Sequence, residues 1–265
     1  MRCRVCGKQN PITFRARILN RYDVAYFHCD HCGFLQTEEP YWHEEAHEDP
    51  INRLDTGILV RNLYLADVTS GILFFLFGRN AKCLDYAGGH GILTRLLRDR
   101  GFDCAWHDKY AINVFARGFE YQDVVQGIGV VTCFEAFEHF PRPMEEIEQM
   151  LGISRNIIFS TELIPSSPPP PDQWWYYGLE HGQHVSFYSL RTLRFIAKTY
   201  NLNLLTNGKF VHMLTEKNKG ARLFSILVGL SPYGLGKLPR LFMKSKTSHD
   251  MGLLSGRDRN RRFRQ

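Results

Sequence analysis

The spacing of hydrophobic positions changes repeatedly along the chain, and each change marks a new element. From Ile51 to Phe77 the residues Ile51, Leu54, Ile58, Leu59, Leu63, Leu65, Val68 and Ile72 recur at helical spacing. They predict one or two helices, ended by Gly78. Lys82–Tyr86 reads as a strand, AGGHG as a tight turn, and ILTRLLRDRG as a helix to about Gly101. A second strand, FDCAWHD, ends in Asp108, and a short helix is expected over Tyr110–Arg117. Ile128–Phe134 (IGVVTCF) and Ile157–Thr161 read as strands flanking a helical stretch from Pro141 to Leu151. After a proline-rich loop, Ser189 is placed to cap a helix reaching Tyr200. Leu202–Leu205 and Leu223–Leu230 read as closing strands. Strands alternating with helices predict an α/β fold with a Rossmann-like, doubly wound, mostly parallel sheet.

Composition narrows the class. The chain has 265 residues, 44% hydrophobic and 13% aromatic, enough for one full domain and a smaller attachment. Its net charge is +6, but residues 237–265 hold nine Lys/Arg and two Asp/Glu. The remaining residues therefore carry 24 basic and 25 acidic groups, and the basic character belongs to the tail. After Met1 come polar and basic residues and a cysteine pair, unlike a signal peptide. The most apolar window, Ile58–Phe77, contains Arg61, Asn62 and Asp67. It reads as a buried amphipathic helix, not a membrane span of ~20 apolar residues. A cytoplasmic protein with no membrane insertion is expected.

Four of seven cysteines form two matched pairs, CRVCGK at Cys3/Cys6 and CDHCGF at Cys29/Cys32, with 22 residues between them. Each pair has two intervening residues and a following glycine, the shape of a metal knuckle. Two knuckles make a four-thiolate zinc site. Residues 1–40 are accordingly read as a small four-cysteine zinc ribbon that packs against the main domain. His28 and His31 flank the second pair as surface residues. Arg15, Arg17 and Arg21 give it only a modest basic face.

The turn at Cys83–Gly91 (CLDYAGGHG) joins a strand to a helix N-terminus, the unit in which backbone N–H groups approach a nucleotide-like ligand. Asp108 lies 17 residues beyond Gly91 at the end of the second strand. An acid there suits ribose hydroxyls. A nicotinamide dinucleotide site would need a third glycine where Ile92-Leu93-Thr94 stand.

The order LDYAGGHG, HDKY, VVTCFEAFEH, IIFSTELIP resembles a class I S-adenosylmethionine-dependent methyltransferase over about residues 45–230. YYGLEHGQHVSFYS is similar to a methyltransferase-domain group common in sugar, lipopolysaccharide and natural-product pathways, some members of which carry an N-terminal zinc-binding segment. The resemblance implies that Asp85, Gly88, Gly89 and Gly91 form the cofactor loop, with Ala87 where the family usually has its first glycine. Asp108 becomes the ribose-binding acid, and Phe134, at the end of the Ile128–Phe134 strand, is a further cofactor-binding residue. Only about twenty residues separate Asp108 from Val131, leaving little room for the family's usual third strand. Glu120 is then the candidate for the adenine contact.

Glu135, Glu138 and His139 form E-x-x-E-H directly after that strand, a spacing that places all three on one helical face. In some O-methyltransferases, including RNA 3′-terminal 2′-O-methyltransferases, this pattern holds a divalent metal completed by a histidine in an H-x-F-like segment, a place comparable to His184. Two carboxylates and two imidazoles would suit a divalent cation. Without one, His139 and His184, with imidazole pKa values near ~6.5, are the candidate general bases. Trp174, Trp175, Tyr176 and Tyr177, after four consecutive prolines, are read partly as core and partly as a substrate wall for stacking on a sugar. Residues 41–235 form the expected methyltransferase domain, and 236–265 a basic, disordered tail. The resulting expectation is methyl transfer to oxygen or carbon of a small-molecule acceptor, first a carbohydrate or nucleotide sugar. RNA, reached through the basic tail, and an inactive binding module are the alternatives.

Overall fold

The computed structural model describes residues 1–47, 55–122, 127–218 and 220–256. The helical positions Ile51 and Leu54 and the arginines from Arg257 onward lie outside the described residues. The chain divides into two compact units. One comprises Met1–Asp55 and Cys133–Ala221, the other Thr56–Thr132 and Arg222–Gln265.

In the first unit, β1 (Phe14–Ile18), β2 (Tyr22–His28), β3 (Leu35–Thr37) and the short β8 (Ser186–Phe187) form an antiparallel sheet in that order. Leu35 pairs with Phe187, so the cysteine-bearing segment shares a sheet with a strand 152 residues away in sequence. Ile18, Val24, Tyr26, Trp42, Tyr177 and Phe187 form its core. The same unit contains α1 (His43–Ala46), α4 (Pro143–Ile153) and α5 (Leu190–Thr199). Ser189 caps α5 in a reciprocal box with Thr192, as the sequence predicts.

The second unit holds α2 (Ile58–Ile72), which runs on through a π-helical turn to Phe77, and the β4–turn–α3 module. β4 (Lys82–Tyr86) pairs in parallel with β5 (Asp103–His107) and β6 (Val130–Cys133). α3 spans Ile92–Asp99. Four of the five β4 residues are buried, so the strand reads as an apolar run without alternation. The parallel strands of this unit run in the order β5–β4–β6, while in the first unit β7 (Ile157–Ser160), β10 (Val211–Thr215) and β9 (Asn203–Thr206) lie side by side in that order. β10 runs antiparallel to both β7 and β9. The α/β architecture with parallel β5, β4 and β6 is the expected one.

Several elements differ from expectation. Leu223–Leu230 lies in a helix, α6 (Ala221–Leu230), that buries Phe224, Leu227 and Val228; the closing strand is β10. Residues 110–117 form turns, because Asp108 and Asn113 side chains capture the N–H groups that a helix would use. The usual third strand shrinks to one parallel bridge between Trp106 and Glu120. Helix α2 is continuously buried only from Leu65 to Ile72, while Leu59, Val60 and Leu63 are exposed. Ile58–Phe77 is, among the described residues, the one segment apolar and long enough to cross a membrane, and half of it is buried in the fold. Residues 239–242 (α7) and 247–254 (α8) are helical where a disordered tail is expected. Asp250 is buried in a bidentate pair with Arg98, which anchors α8.

Candidate active site

The glycine loop lies in the second unit. Asp85 is 2% exposed and accepts hydrogen bonds from the hydroxyls of Thr94 (2.9 Å) and Thr132 (3.1 Å). Burial pushes its carboxyl up to about 6 against these hydroxyls. Two residues on, Ala87 adopts φ 56° in the left-handed region that glycine favours. Gly88 is required for space, since a Cβ there would lie 2.8 Å from both Asp85 Oδ2 and Trp106 Cδ1. Asp108 Oδ2 accepts from the Gly89 N–H at 2.9 Å, and its Oδ1 accepts from the N–H groups of Tyr110 and Ala111 at 2.8 Å. The acid is thus tied to the loop and keeps about one of its roughly four lone-pair sites open. Glu120 is held by Asn113 Nδ2 (2.7 Å) and the Gly118 N–H (2.9 Å). Phe134 follows β6 and is 7% exposed.

The E-x-x-E-H segment belongs to the first unit and does not form one helical face. Glu135 has φ 53°, and only Phe137–His139 make a 3₁₀ turn. Glu135 turns to Ser160, whose hydroxyl donates to Glu135 Oε1 at 2.7 Å and accepts from the Glu135 N–H. The ligand atoms of Glu138, His139 and His184 come within 4.8 Å of one another, without Glu135.

These residues sit in a larger chain of imidazoles. Ring centroids are 4.1 Å apart for His43–His47, 5.6 Å for His47–His139, 5.0 Å for His139–His184 and 4.8 Å for His184–His181. Sequence reasoning missed His43, His47 and His181. Their signal was the i, i+4 pair in WHEEAH and the EHGQH run.

Backbone carbonyls set the tautomers. His47 Nδ1 lies 2.9 Å from the His43 carbonyl and therefore carries the proton, leaving Nε2 to accept from His139 Nδ1 at 3.4 Å. His184 Nδ1 donates to the Tyr176 carbonyl at 2.7 Å. Both His139 and His184 consequently present a bare Nε2. Burial holds the His184 imidazole down at about 3, helped by His181, and holds His139 well below its ordinary value, helped by His184 and His47. Both rings are neutral at neutral pH, in place of the expected values near 6.5.

The four aromatic residues divide. Tyr176 and Tyr177 are core, 3% and 0% exposed, and Trp174 packs against that core. Trp175 is 78% exposed. Tyr176 therefore supports His184 from behind through its carbonyl, and neither buried tyrosine forms a wall.

At the N-terminus, Cys3 and Cys32 Sγ atoms are 3.6 Å apart, Cys6 and Cys29 3.4 Å, and all four lie within 4.8 Å. A tetrahedral ion with bonds of about 2.3 Å would place sulfurs roughly 3.8 Å apart, so the four thiols fit zinc. Gly7 and Gly33, both at positive φ, turn each knuckle. Thr192 donates to the Cys32 carbonyl at 3.0 Å, locking the second knuckle to the start of α5.

Residues 61–207 match the sequence model of a family described as a methyltransferase domain. Among curated proteins, none matches the chain by sequence. Solved structures with a similar fold include the plantazolicin methyltransferase BpumL in complex with SAH, at 12% identity and a TM-score of 0.46. That match covers 68% of this chain and 95% of BpumL. Another is magnesium protoporphyrin IX methyltransferase from Synechocystis PCC 6803 with bound SAH, at 18% identity and a TM-score of 0.42, covering 66% and 95%. An O-methyltransferase family protein from Burkholderia thailandensis matches at 13% identity and a TM-score of 0.43, covering 67% and 64%.

Proposed function

The chain belongs to the methyltransferase-domain family, and from that premise we propose that it moves the methyl group of S-adenosylmethionine to an oxygen or carbon of a small-molecule acceptor, first a carbohydrate or nucleotide sugar. The observation that carries this reading is the loop of Asp85–Gly91 tied to Asp108 through the Gly89 N–H. Asp108 is the residue assigned to the ribose hydroxyls, and the loop N–H groups to the rest of the cofactor. Ala87 holds the backbone conformation a glycine would take, so its presence leaves the loop intact. That observation argues against an inactive relic.

Transfer is an in-line displacement: the sulfonium S–C bond breaks as the new bond to the acceptor forms, leaving a neutral thioether. The acceptor's proton goes to His139 Nε2 or His184 Nε2, both fixed as acceptors by the carbonyl-anchored tautomers. An imidazole held below its ordinary pKa takes that proton only as attack makes the hydroxyl acidic, so proton transfer accompanies attack. His47 then shares the charge of a protonated His139 through Nδ1.

The Glu138–His139–His184 spacing favours a second arrangement. Those three groups would hold a divalent cation, which supplies a lower pKa for the acceptor hydroxyl when bound. Cys3, Cys6, Cys29 and Cys32 would hold a structural zinc.

Incubation with methyl-labelled S-adenosylmethionine and a panel of nucleotide sugars tests the proposal, with His139→Gln and chelator-treated protein alongside. Label should enter a sugar-bearing product, and His139→Gln should lower kcat about 100-fold or more. Label entering RNA alone would replace the sugar assignment. Activity lost to chelator and restored by a divalent salt selects the cation arrangement.

A further inference from the structure

Helix α6 carries two apolar stripes, one buried and one exposed. Phe224, Leu227 and Val228 are buried in the fold, while Leu223, Ile226 and Leu230, at i, i+3 and i+7, are 39%, 49% and 53% exposed. The exposed series continues beyond the helix with Tyr233 at 87%, Leu241 at 76% and Phe242 at 60%. A run of exposed large apolar side chains like this marks an interaction surface.

Charge identifies what covers it. Between Glu216 and Asp250 the sequence holds no acid and seven Lys/Arg, among them Arg222, Lys237, Arg240, Lys244 and Lys246. A second copy of the chain would bring the same cations opposite themselves, which opposes a two-fold pairing on this face. A nucleic acid would satisfy the cations but would gain little from exposed leucine and isoleucine, whose burial is what this face offers. An anionic bilayer surface satisfies both. Aliphatic side chains enter the boundary between headgroups and acyl chains, a tyrosine suits the interface, and cations meet the negative headgroups.

We propose that residues 222–246 form a peripheral docking face for anionic lipid membranes. It lies on the surface and requires no spanning segment. The proposal is independent of the methyl-transfer reading, because binding is measured without turnover.

Co-sedimentation of the full chain with vesicles tests it, using phosphatidylcholine alone and phosphatidylcholine mixed with phosphatidylglycerol. Partitioning to the mixed vesicles should be at least about tenfold stronger and should weaken as salt rises. Replacing Lys237 and Arg240 together by Ala should reduce it on the order of 20-fold. Tyr233→Ser with Leu241→Ser should reduce it while leaving the salt dependence in place, with an unchanged Tm showing that the fold is intact. Absent binding, or equal binding to both vesicle types, overturns the proposal. So does a dimer in light scattering that Leu241→Ser dissociates without any vesicle binding, or binding to single-stranded RNA alone.

Discussion

Gly88 shows how tightly the cofactor loop is specified at single positions. Its missing Cβ is the space occupied by Asp85 Oδ2 and Trp106 Cδ1, so Gly88→Ala must displace a buried carboxylate or an indole. The expected cost is about 1–3 kcal/mol of stability, read from denaturant unfolding, with weaker cofactor binding in the same variant. This loop was legible because its signal is local: a strand, glycines, a helix and an acid at a fixed distance. The histidine cluster was legible only in part. His139 and His184 stood out near glycine and aromatic residues, but His43 and His47 come from the segment WHEEAH, about ninety residues or more away in sequence and outside any motif. Glu135 was misplaced because a helical spacing rule cannot foresee a positive φ at the first residue of the motif. The pKa values of the imidazoles were equally invisible, since they follow from burial in the folded chain.

At the scale of elements, local chemistry decided most departures. Asp108 and Asn113 both form side-chain-to-backbone turns, which removed the helix expected over residues 110–117. The run LFSILVGL is apolar enough for strand or helix, and only the i, i+3, i+4 burial of Phe224, Leu227 and Val228 separates the two. Helix α8 escaped detection because its anchors are long-range in sequence. Asp250, 2% exposed, bonds Arg98 at 2.7 and 2.8 Å, and Arg95 lies 2.9 Å away. Burial alone would raise the Asp250 carboxyl, but the two arginines outweigh it and hold it below its usual range. Its stabilisation is therefore present above the ordinary carboxylate pKa and lost as pH falls below it. Asp250→Ala should destabilise the protein by about 3 kcal/mol, because it leaves a buried arginine short of its partner. Thermal unfolding of the two proteins at neutral pH measures this, and the gap should narrow in acid.

At the scale of the whole molecule, the thiol cluster and the glycine loop fall in different compact units. The four thiols belong to the unit built around β1–β3 and α5, where one zinc per chain is expected. Cys29→Ser should abolish the bound zinc, measured by elemental analysis, and loosen the two knuckles, whose turns carry no core of their own. The other unit carries the glycine loop and Asp108, on which the functional reading depends. Calorimetric titration of S-adenosylmethionine into the wild-type protein and Asp108→Ala tests that dependence most directly. One site of micromolar-scale affinity in the wild type and no measurable binding in Asp108→Ala is the expected result; equal binding by the two proteins would contradict it.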